Sequence, residues 1–290
     1  MKLYIVRYIK LSYIPVNSLD EATTRITKES RKNPGHDFVE GIMYSLNKGV
    51  IMVGSFTPKA EPTKINPVAR WYKKSFYKHV QDLSQSAPTV EYIPLRDYYH
   101  RHTYGAFWTL EILVPYANMP VMRWLFGWTA TSETNWYKLI PAFFRQFSEK
   151  NVVLQDFIVP IGKAKMALEF FHKQVEIYPV WLCPSKSFNE PGFFKFDENP
   201  DTMQLDIGIY GVPKNLDDYE LVKSNKIYEQ KFNSLIAPVQ LESPHIYADT
   251  FLSRDEFYEM FDPTLYNKVR KQLNCEDAFP DVYEKISARI

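Results

Sequence analysis

The sequence predicts an α+β fold, an antiparallel sheet built from two β-α-β-β units with helices on one face. Three observations carry this. Short runs alternate apolar and polar residues, as half-buried strands do. Longer runs with apolar residues three and four apart interrupt them, as amphipathic helices do. The order strand, helix, strand, strand occurs over 1–57 and again over 151–250, a repeat of element order rather than of residues.

Residues 3–16 alternate and are rich in β-branched and aromatic types, so they read as a strand. "SLDEATTRITKESRK" opens with Ser18 and carries Glu21 three residues on, the signature of a capping box, and continues as a polar-faced helix. "FVEGIMYSL" and "VIMVGSFT" are strands joined through Asn47-Lys48-Gly49, with glycine where a tight hairpin wants positive φ. In the second unit "NVVLQDFIVP" is a strand, and "IGKAKMALEFFHKQ" is a helix with Ala164, Ala167, Leu168 and Phe171 on one side. "VEIYPVWLCP" and "MQLDIGIYGVP" are strands, 217–235 is a helix, and "HIYADTFL" is a short closing strand. The intervening 58–150 is rich in Pro, Tyr and Trp, with helices expected around 66–83 and 132–149. So long an excursion inside a compact domain is expected to cover or form a site. The tail, 251–290, is helical, with a second capping box at Ser253 and Glu256.

Composition narrows the function. With 35 basic and 34 acidic residues the net charge is +1, so the overall charge gives no electrostatic footprint for nucleic acid or an anionic membrane surface. Cys183 and Cys275 form neither a disulfide framework nor a zinc spacing and are expected as reduced, buried thiols in an intracellular protein. Only 10 glycines occur, against 46 aromatics. No G-x-G-x-x-G or P-loop is present, and the closest glycine pair, Gly208 and Gly211, suits a strand end. The chain is therefore not expected to hold a dinucleotide diphosphate by itself. The N-terminus is neither a signal peptide nor a span. The most apolar region, 107–128, is broken by Glu111, Pro115, Pro120 and Arg123. The protein is expected to be soluble and cytoplasmic, or to lie against a membrane peripherally.

The stretch "EYIPLRDYYHRHTYGAFW", residues 91–108, concentrates aromatic and charged side chains. His100 and His102 would share one face of a strand, as metal ligands must, but no carboxylate stands at a ligand spacing, so no metal is assigned. A nucleophile has no support, because G-x-S-x-G is absent and Cys183 lies in an apolar strand pattern. What remains is an aromatic-lined pocket with a few polar tips, or simply core.

Specific strings go further. "EYIPLRDYYHRHT", "LFGW", "YPVWLCP", "DIGIYG", "YADTFLSRDEFYEMFD" and "QLNCEDAFPDVYEKI", with "HDFVEGIMYSL", "VIMVGSFT" and "LQDFIVP", resemble the delta(24)-sterol reductase (diminuto/dwarf, 24-dehydrocholesterol reductase) family, in order along the whole chain. The resemblance implies an FAD-linked oxidoreductase of the vanillyl-alcohol-oxidase type. In that type a flavin-binding domain comes first and a substrate-side cap follows. It begins close to Met1 and covers only the second part, so 1–290 reads as a cap-like region with the FAD-binding domain and the family's membrane segment absent.

The family reduces the C24–C25 double bond of sterols with NADPH and FAD, neither of which is expected to bind this chain stably alone. A cap could supply an apolar pocket and a general acid. The residues assigned to pocket and proton relay are Tyr98, Tyr99, His100, Arg101 and His102, with Trp181, Tyr210, Tyr247 and Asp249 on the substrate side. Arg101 faces either the flavin or a carboxylate, or forms a structural ion pair. The implied partners are a sterol or other bulky hydrophobic ligand, and a complementing FAD-domain polypeptide or a second copy. The alternative is a non-catalytic remnant that binds a sterol or a protein. An uncovered apolar patch is expected from 91–108 and 274–284.

Overall fold

The computed structural model describes residues 7–31, 35–103, 107–129, 152–186, 203–213, 250 and 252–287. β1 (Tyr8–Val16) forms as its alternation requires, with Ile9, Leu11 and Tyr13 fully buried and Lys10 exposed. α1 (Leu19–Ser30) starts at Ser18, whose hydroxyl accepts from the Glu21 N–H at 3.0 Å. The Glu21 carboxylate takes the Asn17 N–H at 2.8 Å rather than that of Ser18, so the box closes one residue early.

β2 (Phe38–Ser45) and β3 (Lys48–Thr57) form the expected hairpin, but the turn is Leu46–Asn47, with Ser45 paired to Lys48 and a register shift after Met43. Gly49 lies inside the sheet, opposite both Met43 and Val16. A Cβ there would collide with the Met43 sulfur, and no described glycine has positive φ. Close packing, not a left-handed turn, demands this glycine.

The helix expected over 66–83 is confined to α2 (Phe76–Leu83). β4 (Thr89–Pro94) then pairs antiparallel with β1, a strand that the sequence reading left inside the irregular excursion. Pro88 and Pro94 bracket it and Glu91 interrupts its apolar run, so its periodicity is weak. Short helices α3 (Leu95–Tyr99), α4 (Thr109–Leu113) and α5 (Pro120–Phe126) follow. The helix expected over 132–149 lies outside the described residues.

Register explains the core. Met52 opposes Glu40 and Val50 opposes Ile42, so these residues share one face of the sheet. That face packs Ile9, Leu11, Tyr13, Val50 and Met52 against Phe76, Tyr77 and Val80 of α2. Each side chain so buried contributes about 1.5–3 kcal/mol. α1 packs against β1, β2 and β3, and the alternate-face residues Val16, Met43 and Ile51 are buried as well.

The chain divides into two units, one of Met1–Val152, Tyr178–Leu182 and Tyr210–Val212, the other of Val153–Ile177, Cys183–Ile209 and Pro213–Ile290. In the second, β5 (Val153–Pro160) precedes α6 (Ala164–Gln174), which buries Ala164, Ala167, Leu168 and Phe171 as its periodicity predicts. The Phe171 ring lies 4.7 Å from that of Phe157. β6 (Val180–Lys186) and β7 (Met203–Gly211) complete a seven-stranded sheet of order β4-β1-β3-β2-β6-β7-β5. The pairings β1–β3, β1–β4, β2–β3 and β2–β6 are all antiparallel.

The tail folds as α7 (Arg254–Met260), α8 (Thr264–Gln272) and α9 (Val282–Ile286) around Phe257, Phe261 and Ile286. Complete capping boxes open α7, at Ser253 and Glu256, and α9, at Asp281 and Glu284. The helix expected over 217–235 lies outside the described residues, as does the expected closing strand apart from Thr250 and Leu252. Neither Cys183 nor Cys275 is in a disulfide, and both are half-buried, more accessible than expected. Among the described residues no helix is long and apolar enough to cross a membrane.

Candidate functional site

Strand alternation places Glu40 on the core face of β2, between Phe38 and Ile42, where it is 3% exposed. A carboxylate buried there would cost several kcal/mol unless paired and hydrogen-bonded (about 3–5 on losing a partner). Arg101 supplies the pair: Nε donates to Oε1 at 2.8 Å and Nη2 to Oε2 at 2.9 Å. Oε2 also accepts from Trp181 Nε1 at 3.1 Å and contacts His102 Nε2 at 3.4 Å. Burial by itself would raise the Glu40 pKa. The Arg101 charge and the hydrogen bonds of His102 and Arg101 outweigh it and hold the carboxyl well below its ordinary range.

Local structure sets which side chains reach this carboxylate. α3 is a short helical turn, so Tyr98 points inward and is 1% exposed, while Tyr99 and the C-cap His100 face outward. The Arg101 guanidinium sits 4.1 Å from the Tyr98 ring centroid, a cation–π contact, and its Nη1 donates to the Tyr98 carbonyl at 2.8 Å.

His102 is enclosed by rings. It stacks on Phe107 with centroids 4.3 Å apart and planes 16° apart, and meets the edges of Phe76 and Trp181 at 5.4 and 6.4 Å. Phe107 has φ +61°, a conformation that costs a bulky residue about 1–3 kcal/mol and persists only where packing enforces it. Its ring contacts with Trp181 and Tyr210, at 5.1 and 5.3 Å, do so. Trp108 adds the wall behind, its indole N–H donating to the Tyr210 carbonyl at 2.5 Å.

Burial pushes the His102 pKa down, the Arg101 charge lowers it further, and the bond to Glu40 opposes both; the shift is downward. The neutral imidazole therefore spends its Nε2–H on the ionised Glu40, which can only accept. Nδ1 is then an acceptor, and it is buried without a hydrogen-bond partner among the described residues. A second polar cluster lacks any such open atom. There Glu91 accepts from Tyr13, His79 and Asn66 at 2.8, 2.9 and 3.0 Å, and Lys73 bonds Asn66 at 2.6 Å. Mutual satisfaction marks that cluster as structural.

Of the residues expected at the site, Tyr98, Arg101, His102, Trp181 and Tyr210 come together. Tyr99 and His100 do not, because the turn of α3 directs them to solvent. The strand on which His100 and His102 would share one face does not form, since His100 caps α3 and His102 follows in a turn. Tyr247 and Asp249 lie outside the described residues. Sequence reasoning missed Glu40, although its phase with Phe38, Ile42 and Tyr44 was a usable signal, and it did not single out Phe107 or Trp108. Among the described residues no group of three or more His, Cys, Asp or Glu side chains could hold a metal ion.

The implied flavin fits these residues poorly. A diphosphate needs glycines whose backbone lies open to it. Gly41 and Gly54 are strand residues hemmed in by Ile51 and Leu182, and by Ile9 and Leu11, and Gly127 abuts the Trp71 carbonyl. No step is assigned to a flavin held by this chain.

Fold and site together define a class: an α+β fold carrying an aromatic-walled polar centre. No family model matches the chain. It is 40% identical over 282 residues to human delta(24)-sterol reductase, a match covering 97% of this chain and 53% of the relative. The Caenorhabditis elegans delta(24)-sterol reductase homologue matches at 40% over 285 residues, covering 97% of this chain and 53% of that one. The Arabidopsis thaliana delta(24)-sterol reductase matches at 32% over 305 residues, covering 97% and 54%. The chain is thus similar along 97% of its length to delta(24)-sterol reductases, and it spans about half the length of the relatives it matches.

Proposed function

We propose that this chain is the substrate-side, cap-like part of a delta(24)-sterol reductase, binding a sterol and handling the proton of the reaction. The supporting observation is His102, a buried imidazole with Nε2 committed to Glu40 and Nδ1 without a hydrogen-bond partner among the described residues, within an aromatic enclosure.

Saturating an isolated alkene takes a proton at the less substituted carbon and a hydride at the more substituted one. When His102 is protonated, Nδ1–H can deliver the proton, and the burial that lowers its pKa makes the imidazolium a stronger acid. Glu40 steadies that cation through Nε2, and Arg101 keeps Glu40 ionised. Arg101 is thus a positioning residue. The half-buried rings of Phe107 and Trp181 offer apolar faces to the sterol side chain and exclude water. The hydride comes from outside these residues; the resemblance implies FAD and NADPH for that part.

Binding of a radiolabelled sterol carrying the side-chain double bond tests the reading. Saturable binding is expected, weakened about tenfold by Trp181→Ala or His102→Ala, roughly 1.4 kcal/mol, and unaffected by Tyr99→Ala. Equal binding by all four proteins, or none, would sink it. Binding without turnover, when the chain is mixed with the flavin-bearing half of a relative, would instead favour a non-catalytic sterol-binding protein.

A further inference from the structure

The segment after α4 wears its polarity inside out. Of residues 115–129 the only charged side chain, Arg123, is 2% exposed, and its Nε donates to the Lys73 carbonyl at 2.6 Å. Asn118 also turns inward: its Oδ1 accepts from the Ser75 N–H at 2.8 Å, and its Nδ2 donates to Glu111 Oε2 at 3.1 Å and Tyr77 Oη at 3.2 Å. Gly127 packs so closely on the Trp71 carbonyl that a Cβ would collide with it. The base of the segment is therefore fixed to residues 71–77.

The outward face is apolar. Val121, Trp124, Leu125 and Trp128 follow the i, i+3, i+4, i+7 spacing of a buried helix stripe, yet all are exposed, Trp124 to 67%. Tyr116 and Met119 extend the stripe, both more than half exposed. A helix facing water shows the reverse arrangement. α5 is far shorter than the roughly 20 residues a span requires, so the fitting geometry is in-plane insertion. The Trp128 indole N–H is already satisfied by the Leu125 carbonyl at 2.9 Å, so that ring carries no unpaired donor into lipid.

Charge favours lipid as the occupant. Arg70 and Lys74 are exposed beside the stripe on the stretch that anchors it, and Tyr72 is exposed between them. Lys74 meets Asp82, a surface pair that a headgroup phosphate can replace at little cost. Aromatic rings flanked by basic residues are the usual makeup of interfacial anchors.

We propose that residues 116–128 form an in-plane membrane-binding element, inserting Trp124, Leu125 and Trp128 into an anionic bilayer surface with Arg70 and Lys74 at the headgroups. The inference goes beyond the sterol reading and does not rest on it. The full chain is to be co-sedimented with vesicles of about seven parts phosphatidylcholine to three of phosphatidylserine. The expected result is binding that falls about tenfold or more in W124S/L125S/W128S, whose thermal melt is unchanged, and about fivefold for each of Arg70→Gln and Lys74→Gln. Brominated lipid should quench the tryptophan fluorescence of the wild-type chain and not that of the triple variant. Absence of vesicle binding would overturn the proposal. So would equal binding by the triple variant, or a wild-type dimer that the triple variant dissolves while neither form meets lipid.

Discussion

Glu40 and Arg101, 61 positions apart, meet through two parallel hydrogen bonds of 2.8 and 2.9 Å in a setting almost closed to water. Such a fork is geometrically specific, and its value shows when one partner is removed. Glu40→Ala should destabilise the protein by about 3–5 kcal/mol, because the guanidinium is left buried without its counter-charge. The double variant Glu40→Leu/Arg101→Met should lose much less than the two single losses together. Urea denaturation of the wild type, Glu40→Leu, Arg101→Met and the double variant measures this. Additive losses would mean that the two side chains are not energetically coupled.

Acid should destabilise the fold in two stages. His102 is depressed below the ordinary 6.5 in the folded state, so below that value the unfolded chain binds more protons and stability falls. Glu40 is depressed below the ordinary 4.5, so its contribution is complete above that pH and is lost as pH falls toward its folded value. Both shifts act in the same direction in successive windows. Melting temperature followed from pH 8 downward should therefore begin to fall below about 6.5. His102→Gln should remove the first stage and leave the second. A wild-type profile flat to about pH 5 would contradict the depressed imidazole.

The sequence made the density of the site legible but not its sidedness. Tyr98, Arg101 and His102 stood out as charged and aromatic residues crowded together. Which of them turn inward depends on the helical turn at Leu95–Tyr99, inside a stretch without clear periodicity. Glu40 was hidden by its class, since a lone acid in an apolar run looks like an interruption until strand phase assigns it a face. Trp181 reaches Glu40 across 141 positions, and Trp108 reaches Tyr210 across 102, pairings that local periodicity does not encode. Arg123 misled in the opposite direction: it reads as a break in an apolar run, but folding turns it inward and leaves the apolar residues outside.

Glycine geometry separates two substitutions of the same kind. In Gly127→Ala the new methyl group meets the Trp71 carbonyl, a backbone atom that cannot swing aside, and the segment carrying Trp124 and Trp128 must lift from its base. A loss of about 1–3 kcal/mol is expected, as for other overpacked sites. In Gly162→Ala the methyl group meets nothing within 4 Å, so the change should be neutral or stabilise by up to about 1 kcal/mol. Thermal melts compare them directly. Equal behaviour would mean that the contact with Trp71 is not tight in solution.

The same glycines bear on the flavin. The strand glycines Gly41, Gly49 and Gly54 are enclosed by Ile51, Leu182, Ile9 and Leu11 or by the Met43 sulfur, and none of the described glycines adopts positive φ. A diphosphate would have to displace core side chains to reach backbone N–H groups there. The chain purified alone is therefore expected to be colourless, and titrated FAD should show no saturable fluorescence quenching. Stoichiometric flavin, with absorbance at about 450 nm, would refute the assignment of this chain to the substrate side alone. It would also require the diphosphate to be held by residues other than these glycines. If the chain is colourless and still binds the unsaturated sterol, the division of labour follows. On the proposed reading, the Glu40–Arg101–His102 cluster would then serve the alkene and its proton, with the hydride supplied from outside these residues.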